Sequence, residues 1–226
     1  MSADLQLATP ARRRLKVSIT IAAFTLAFVV ALFLDVPLST WAHEIGVAGW
    51  LKNHRDVADL IRLPGRPPYT FAACAALLIV GWWARSCEGS RLWEKPAIVA
   101  LAAAFSGWND ILKWVIGRVR PYHGVPPFEL HPFRTRLLKS EESFSFPSGD
   151  ASLAFAVAVS LSMVAPRLWP LWWTLAVIVG LERIAANAHY PSDVVAGAAL
   201  GAAVAVAAKK SIGLLIKVMQ MHSERL

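Results

Sequence analysis

The chain has 226 residues, 56% of them hydrophobic and only 17% charged, with a formal net charge of +8 and a mean hydropathy of +0.49. Soluble domains sit nearer roughly half apolar and a quarter charged, so the composition excludes an ordinary soluble domain and indicates an integral membrane protein. The basic residues lie mostly between apolar runs, which makes them markers of topology rather than a nucleic-acid-binding face.

Crossing about 30 Å of hydrocarbon takes roughly 20 mostly apolar residues. The first such run is Val17–Val36, entered from Arg12-Arg13-Arg14-Leu15-Lys16. It is long enough to span, and no small-residue cleavage site follows it, so it is read as a span and not as a removable leader. The second is Tyr69–Ala84, followed by Arg85, and the third runs from Ala97 to about Val119 after Pro96, a residue suited to a first helical turn. The fourth runs from Ser148 to about Ala165, the fifth from Leu171 to about Ala188, and the sixth from Ser192 to about Ala208, closed by Lys209-Lys210. The predicted fold class is therefore all-α: an integral membrane bundle of six transmembrane helices over 17–208, between an N-terminal tail at 1–16 and a C-terminal tail at 209–226.

Val47–Arg62 is different. It mixes Trp50, Leu51, Val57, Leu60 and Ile61 with Lys52, Arg55, Asp56 and Asp59, and is predicted to be a helix lying on the membrane surface. Pro64, Pro67 and Pro68 break the chain after it. Cys74, inside an apolar run, and Cys87, just beyond it, match no metal or disulfide spacing and are read as packing residues. The connection from Tyr122 to Pro147 is long, and such loops are functional or disordered. Its Arg134, Arg136 and Lys139 against Glu129, Glu141 and Glu142 fit either a lid over an anionic headgroup or a solvated loop.

Positive charge in short loops and tails sets orientation. Arg12, Arg13, Arg14, Lys16, Arg85, Arg91, Lys95, Arg167, Lys209, Lys210, Lys217 and Arg225 fall on one side, so both tails are predicted to be cytoplasmic, in a bacterial-type inner membrane. The ends of spans three and five and the starts of four and six then face the periplasm together.

Three polar segments fall at those ends. In "KWVIGRVRP", Lys113 and Arg120 are seven apart and so on one helix face, with Arg118 pointing elsewhere. Charge at the end of a span needs a partner or a job; snorkelling to the interface is the ordinary alternative. In "FPSGDASL", Ser148-Gly149 opens span four. A helix start offers unpaired N–H groups and a positive dipole end, which together make an anion site. A plain Ser N-cap, with Asp150 as a dipole-complementing acid, is the alternative. In "ERIAANAHYPSD", Arg183 lies near the end of span five, His189 in the turn and Asp193 four residues on. That spacing lets the carboxylate accept the ring's N–H and leaves the other nitrogen as a nucleophile, although a lone interface histidine is more often polar trim. Asp110, three before Lys113, reads as its ion-pair partner or as a catalytic group, and Glu182 as a partner of Arg183 or another cation.

Together the segments put Lys113, Arg120 and Arg183, a helix-start Ser148-Gly149 and an oriented His189 on one membrane face. Phosphoryl transfer needs that set: cations and N–H groups for the equatorial oxygens, and a nucleophile in line with the leaving group. No His/Cys/carboxylate cluster has metal-ligand spacing, so no metal or other cofactor is expected.

The order and spacing resemble the type 2 phosphatidic acid phosphatase superfamily, the lipid phosphate phosphatases related to vanadium haloperoxidases. Its motifs are Lys-x6-Arg-Pro, Pro-Ser-Gly-His and Ser-Arg-x5-His-x3-Asp. Lys113…Arg120-Pro121 matches the first in full, Pro147-Ser148-Gly149 matches three of four positions in the second, and Arg183…His189…Asp193 matches the third except for Glu182 in place of Ser. The resemblance, over residues from about 97 to 208, implies a metal-independent phosphatase site. His189 would become a phosphohistidine, Asp193 would orient it, and Lys113, Arg120, Ser148, Gly149 and Arg183 would hold phosphate oxygens.

The family's second histidine, the acid that protonates the leaving oxygen, falls at Asp150. A carboxylic acid does that work only with a raised pKa, and three nearby cations act against it. Asp150 is then expected to accept a hydrogen bond, orient water or substrate, or pair with a site cation. This tilts the substrate toward a lipid diphosphate, whose leaving group needs less protonation. The function read from the sequence is a membrane lipid phosphatase acting on a phosphorylated lipid such as polyprenyl diphosphate, phosphatidylglycerol phosphate, phosphatidate or a phosphorylated glycolipid anchor. The alternatives are a lipid phosphotransferase and a catalytically silent relative that binds or transports such a lipid. The partners expected are that substrate and membrane lipid, with no nucleic acid; the oligomeric state stays open.

Overall fold

A computed structural model describes residues 10–66, 68–76, 79, 94–105, 109–123, 129–133 and 144–223. Among them the chain is nearly all helical, without strands, and its only β-type pairings are isolated bridges, Arg118 with Leu130 and Val119 with Phe144. α1 (Pro10–Glu44) continues eight residues past the predicted end at Val36, because Ala42 on its last turns is fully buried and keeps the helix packed.

The predicted surface helix is two helices, α2 (Val47–Asn53) and α3 (Arg55–Arg62), broken at His54, whose φ of −112° and ψ of 62° are not helical. Nor does the segment lie only on a surface. α3 packs against α8, and the 3₁₀ turn Leu63–Gly65 packs against the first turn of α7. Gly65 makes that approach possible, since a Cβ there would sit 2.8 Å from the Asp150 carbonyl oxygen.

α4 covers 68–76; the remainder of the second predicted span apart from residue 79, with Arg85, Cys87 and Arg91, lies outside the described residues, as do residues 1–9, 224–226 and most of the Tyr122–Pro147 loop. Cys74 is buried against Val99, Ala103 and Leu153, the packing role its sequence context predicts. The third predicted span is described as α5 (Glu94–Phe105) and α6 (Asn109–Ile116). α7 (Gly149–Val164), α8 (Trp169–Ala185) and α9 (Pro191–Ser223) follow.

α7 is the hub. It buries Ala151 to Ala156, Ala158 and Ser160, and packs against α5, α8 and α9, while α1 packs against α9 and α8. Burial on every side is what an apolar-all-round helix requires. Gly197 and Gly201, one turn apart on α9, let the two backbones touch: a Cβ at Gly197 would overlap the Ser148 carbonyl, and one at Gly201 the Ser152 carbonyl. Small residues four apart are the usual means of close helix approach in membranes.

Among the described residues, three helical stretches are long and apolar enough to cross a bilayer: Val17–Glu44, Pro166–Ala185 and Pro191–His222. α7, with 16 residues, is about 24 Å long. The chain is an integral membrane protein. Three of the six predicted spans have that length within the described residues.

Candidate active site

Four helix ends meet at one end of the bundle. The Ser148 backbone N–H donates to the Asp193 carbonyl at 3.0 Å, which ties the start of α7 to the start of α9. Ser148 caps α7, its Oγ accepting from the Ala151 N–H at 3.4 Å. Two positive helix ends thus converge. Lys113, on α6, lies beside this start: a Cβ on Gly149 would be 3.4 Å from its Nζ. Glycine here leaves the backbone open to an anion. Lys113 also pairs with Asp110 at 3.6 Å, the ion pair its spacing predicts.

His189 is carried by the turn between α8 and α9. Its own N–H and that of Ala188 donate to the Arg183 carbonyl at 3.2 and 3.1 Å, and Asn187 adopts a left-handed φ of 53°. The ring is 3% exposed. The predicted bond to Asp193 is displaced: Nδ1 lies 2.8 Å from the Ser145 carbonyl and 3.8 Å from Asp193 Oδ2. A carbonyl only accepts, so Nδ1 carries the proton and Nε2 keeps its lone pair. Burial is the main cause that pushes the imidazole down to about 4; the Asp193 carboxylate opposes it, and the Arg120 and Lys113 cations add to it. The ring is neutral near pH 7, as a nucleophile must be.

Lys113 and Arg120 do come together, but not as neighbours on one helix face. α6 ends at Ile116, and Gly117 turns the chain at a φ of +65°, where any side chain would strike the His131 carbonyl. Past that turn Arg120 Nη1 donates to the Ala188 carbonyl at 3.4 Å. Its Nε is buried with no protein acceptor, which leaves a cationic donor able to take an anion.

Arg118, predicted to point elsewhere, turns into the protein. Its guanidinium is buried between Asp35 Oδ2 at 2.7 Å and Asp193 Oδ1 at 2.6 Å. Asp35, on α1, was not singled out by its sequence context. The available signal was a carboxylate within an apolar span, which is costly unless it serves a purpose. Ser145 was missed for another reason: it acts through its backbone carbonyl, which no side-chain pattern marks.

Arg183 is occupied by the chain's own carboxylates. Nε and Nη2 donate to Glu182 at 2.6 and 2.7 Å, and Nη1 to Asp150 at 3.1 Å. Arg62 of α3 donates to the same Glu182 at 3.1 Å. Both alternatives for Glu182 therefore hold at once, and of the expectations for Asp150 the pairing with a site cation is the one seen. Arg134, Arg136, Lys139, Glu141 and Glu142 lie outside the described residues; Glu129 pairs with His131 at 2.9 Å.

Among the described residues, a nearly all-helical membrane bundle brings cations, two helix starts and a neutral histidine with one free nitrogen to one end, a set of groups that suits an oxyanion. Residues 91–216 match the family model described as the PAP2 superfamily, and the chain belongs to that superfamily. It is 36% identical over 110 residues to a lipid A 1-phosphatase of Rhizobium johnstonii, covering 47% of this chain and 43% of that protein. It is 32% identical over 117 residues to an undecaprenyl-diphosphatase of Sulfolobus acidocaldarius, covering 50% and 53%. The matches span about half the length of these curated relatives. Its fold is similar to that of a transmembrane PAP2-type phosphatidylglycerolphosphate phosphatase from Bacillus subtilis, with a TM-score of 0.52, 24% identity and coverage of 83% of this chain and 94% of that one.

Proposed function

We propose that this chain is a metal-independent phosphatase of membrane lipid phosphates that works through a phosphohistidine at His189 and favours diphosphate headgroups. The carrying observation is the His189 tautomer, with Nδ1–H on the Ser145 carbonyl and Nε2 bare. Nε2 attacks the terminal phosphorus; the P–O bond to the leaving group breaks and its electron pair leaves with that oxygen. Water then attacks the phosphohistidine, the P–N bond breaks, and inorganic phosphate is released with Nε2 again unprotonated. Lys113, Arg120, the Ser148 and Gly149 segment, and Arg183 where it yields from Asp150, would stabilise the equatorial oxygens. Asp193 would hold the turn that carries His189.

The diphosphate preference rests on Asp150. An ion-paired carboxylate has no proton to give, and a lipid phosphate leaves from a diphosphate without one, whereas an alkoxide leaves poorly unprotonated. The name of the Sulfolobus relative agrees with this preference; those of the Rhizobium and Bacillus proteins also admit phosphomonoesters. The basic flanks favour cytoplasmic tails in a bacterial inner membrane and a periplasmic site. A panel of lipid mono- and diphosphates, incubated with purified protein and chelator, tests the reading through free phosphate. Diphosphates should turn over fastest and His189→Ala should abolish release. Equal monoester rates would overturn the preference, and no release from any lipid would overturn the activity.

A further inference from the structure

Asp35 is fully buried within α1, nine residues before the helix ends at Glu44, and it lies outside the family-matched residues 91–216. A charge inside a span is expensive and is kept for a purpose. Its Oδ1 accepts from the Ser192 N–H at 2.9 Å, and its Oδ2 from Ser192 Oγ at 2.6 Å and Arg118 Nη2 at 2.7 Å. Arg118 Nη1 in turn donates to Ser192 Oγ at 2.7 Å and Asp193 Oδ1 at 2.6 Å, and its guanidinium stacks 4.2 Å above the Tyr190 ring. Asp193 Oδ2 accepts the Tyr190 N–H at 2.8 Å.

Every residue from 190 to 193, the stretch that follows His189, is therefore gripped or flanked by a network whose far anchor is on the first helix. Two carboxylates share one guanidinium, which fixes it from both sides, and a planar fork holds such a geometry better than a point charge. Stability alone is a weak reason to keep such a network, since buried ion pairs are often replaceable by apolar residues at little cost.

We propose that Asp35 is a positioning residue for phosphoryl transfer: through Arg118 and Ser192 it holds the His189–Asp193 turn, and with it the imidazole, on the line of attack. The inference rests on the phosphatase reading. Attack geometry is sensitive, and a misplacement of about 1 Å costs on the order of 100-fold in rate.

Asp35→Asn tests it. The variant keeps the size of the side chain and leaves Arg118 and Asp193 balanced one to one, but turns an NH₂ or a single acceptor toward donors on both sides. Steady-state kcat and KM for a lipid diphosphate, melting temperature and trapped phosphohistidine are read together. The expected result is a kcat per folded molecule lower by about 100-fold with KM little changed, a lowered melting temperature because buried donors lose an acceptor, and partial recovery of kcat in Asp35→Glu. Arg118→Lys keeps the charge without the fork and should lose kcat in the same way, so the inference stays testable if Asp35→Asn fails to fold. An unchanged kcat per folded molecule in either foldable variant overturns the inference alone. Absence of turnover in the wild-type protein overturns the phosphatase reading and the inference with it.

Discussion

Asp150 accepts a hydrogen bond from Nη1 of Arg183 at 3.1 Å while Glu182 holds the other two faces of the same guanidinium. The two positions at which this chain departs from the PAP2 motifs are thus joined through one arginine. Two carboxylates on one cation leave an excess negative charge, and Arg62 from α3 offsets it at 3.1 Å from Glu182. The departures form one electrostatic unit, and in the proposed function Asp150 is a placeholder for a substrate oxygen.

Replacing that placeholder should widen the substrate range. Asp150→His restores a titratable acid at the leaving-group position and frees Arg183 Nη1. General acid catalysis contributes about 100-fold or more, so hydrolysis of a lipid phosphomonoester should rise by at least about 10-fold relative to diphosphate hydrolysis. Phosphate release from the two substrates side by side checks this; an unchanged ratio would mean that Asp150 does not set the preference.

Arg120 is the cation whose buried Nε has no protein acceptor. Arg120→Gln keeps most of the packing and removes the charge and fork. Loss of one preorganised donor costs about 100- to 1,000-fold in turnover, so kcat/KM should drop by that order while the melting temperature holds. Inhibition by inorganic phosphate should weaken in parallel.

The His189 ring titrates near 4 in the folded protein because of its burial, against about 6.5 in an unfolded chain. Its neutral form should sustain catalysis well into acid, so the acid limb of kcat/KM belonging to this group should fall near 4 and not near 6.5. The sign for stability follows. The folded value is depressed, so the stabilisation is complete above about 6.5, declines as pH falls from there, and is gone by about 4. Melting curves across that window should show the decline in the wild type and a flatter profile in His189→Gln.

Gly201→Ala places a methyl group onto the Ser152 carbonyl of α7. Both backbones are regular helix there and neither can give locally, so the helices must separate. Overpacking of this kind costs about 1–3 kcal/mol. A lowered melting temperature in detergent is the expected outcome; an unchanged one would mean that α7 and α9 are less tightly held than their contact implies.

Helical class and membrane character were legible because long apolar runs and their basic flanks leave few other solutions. The convergence of Lys113, Arg120, Ser148, Arg183 and His189 was legible from residue order and type. The reason given for the first pair was not the structural one: a shared helix face was expected, and a glycine turn at Gly117 brings Arg120 round instead. The break at His54 was invisible because neighbouring residues carry good helical patterning, and the packing of Arg62 on Glu182 that accompanies it is a long-range contact. Asp35 was hidden differently. One carboxylate hardly lowers the hydropathy of a long run, and its partners, Arg118 and Ser192, lie far along the chain.

Trapping the phosphoenzyme tests the account most directly. Purified protein mixed with a lipid diphosphate in the presence of chelator, quenched in alkali and mapped by mass spectrometry, should carry a phosphoryl group on the peptide containing His189. That group should vanish on a chase with unreactive lipid and be missing from His189→Ala. Turnover that persists in His189→Ala, or an adduct on any other residue, would contradict it.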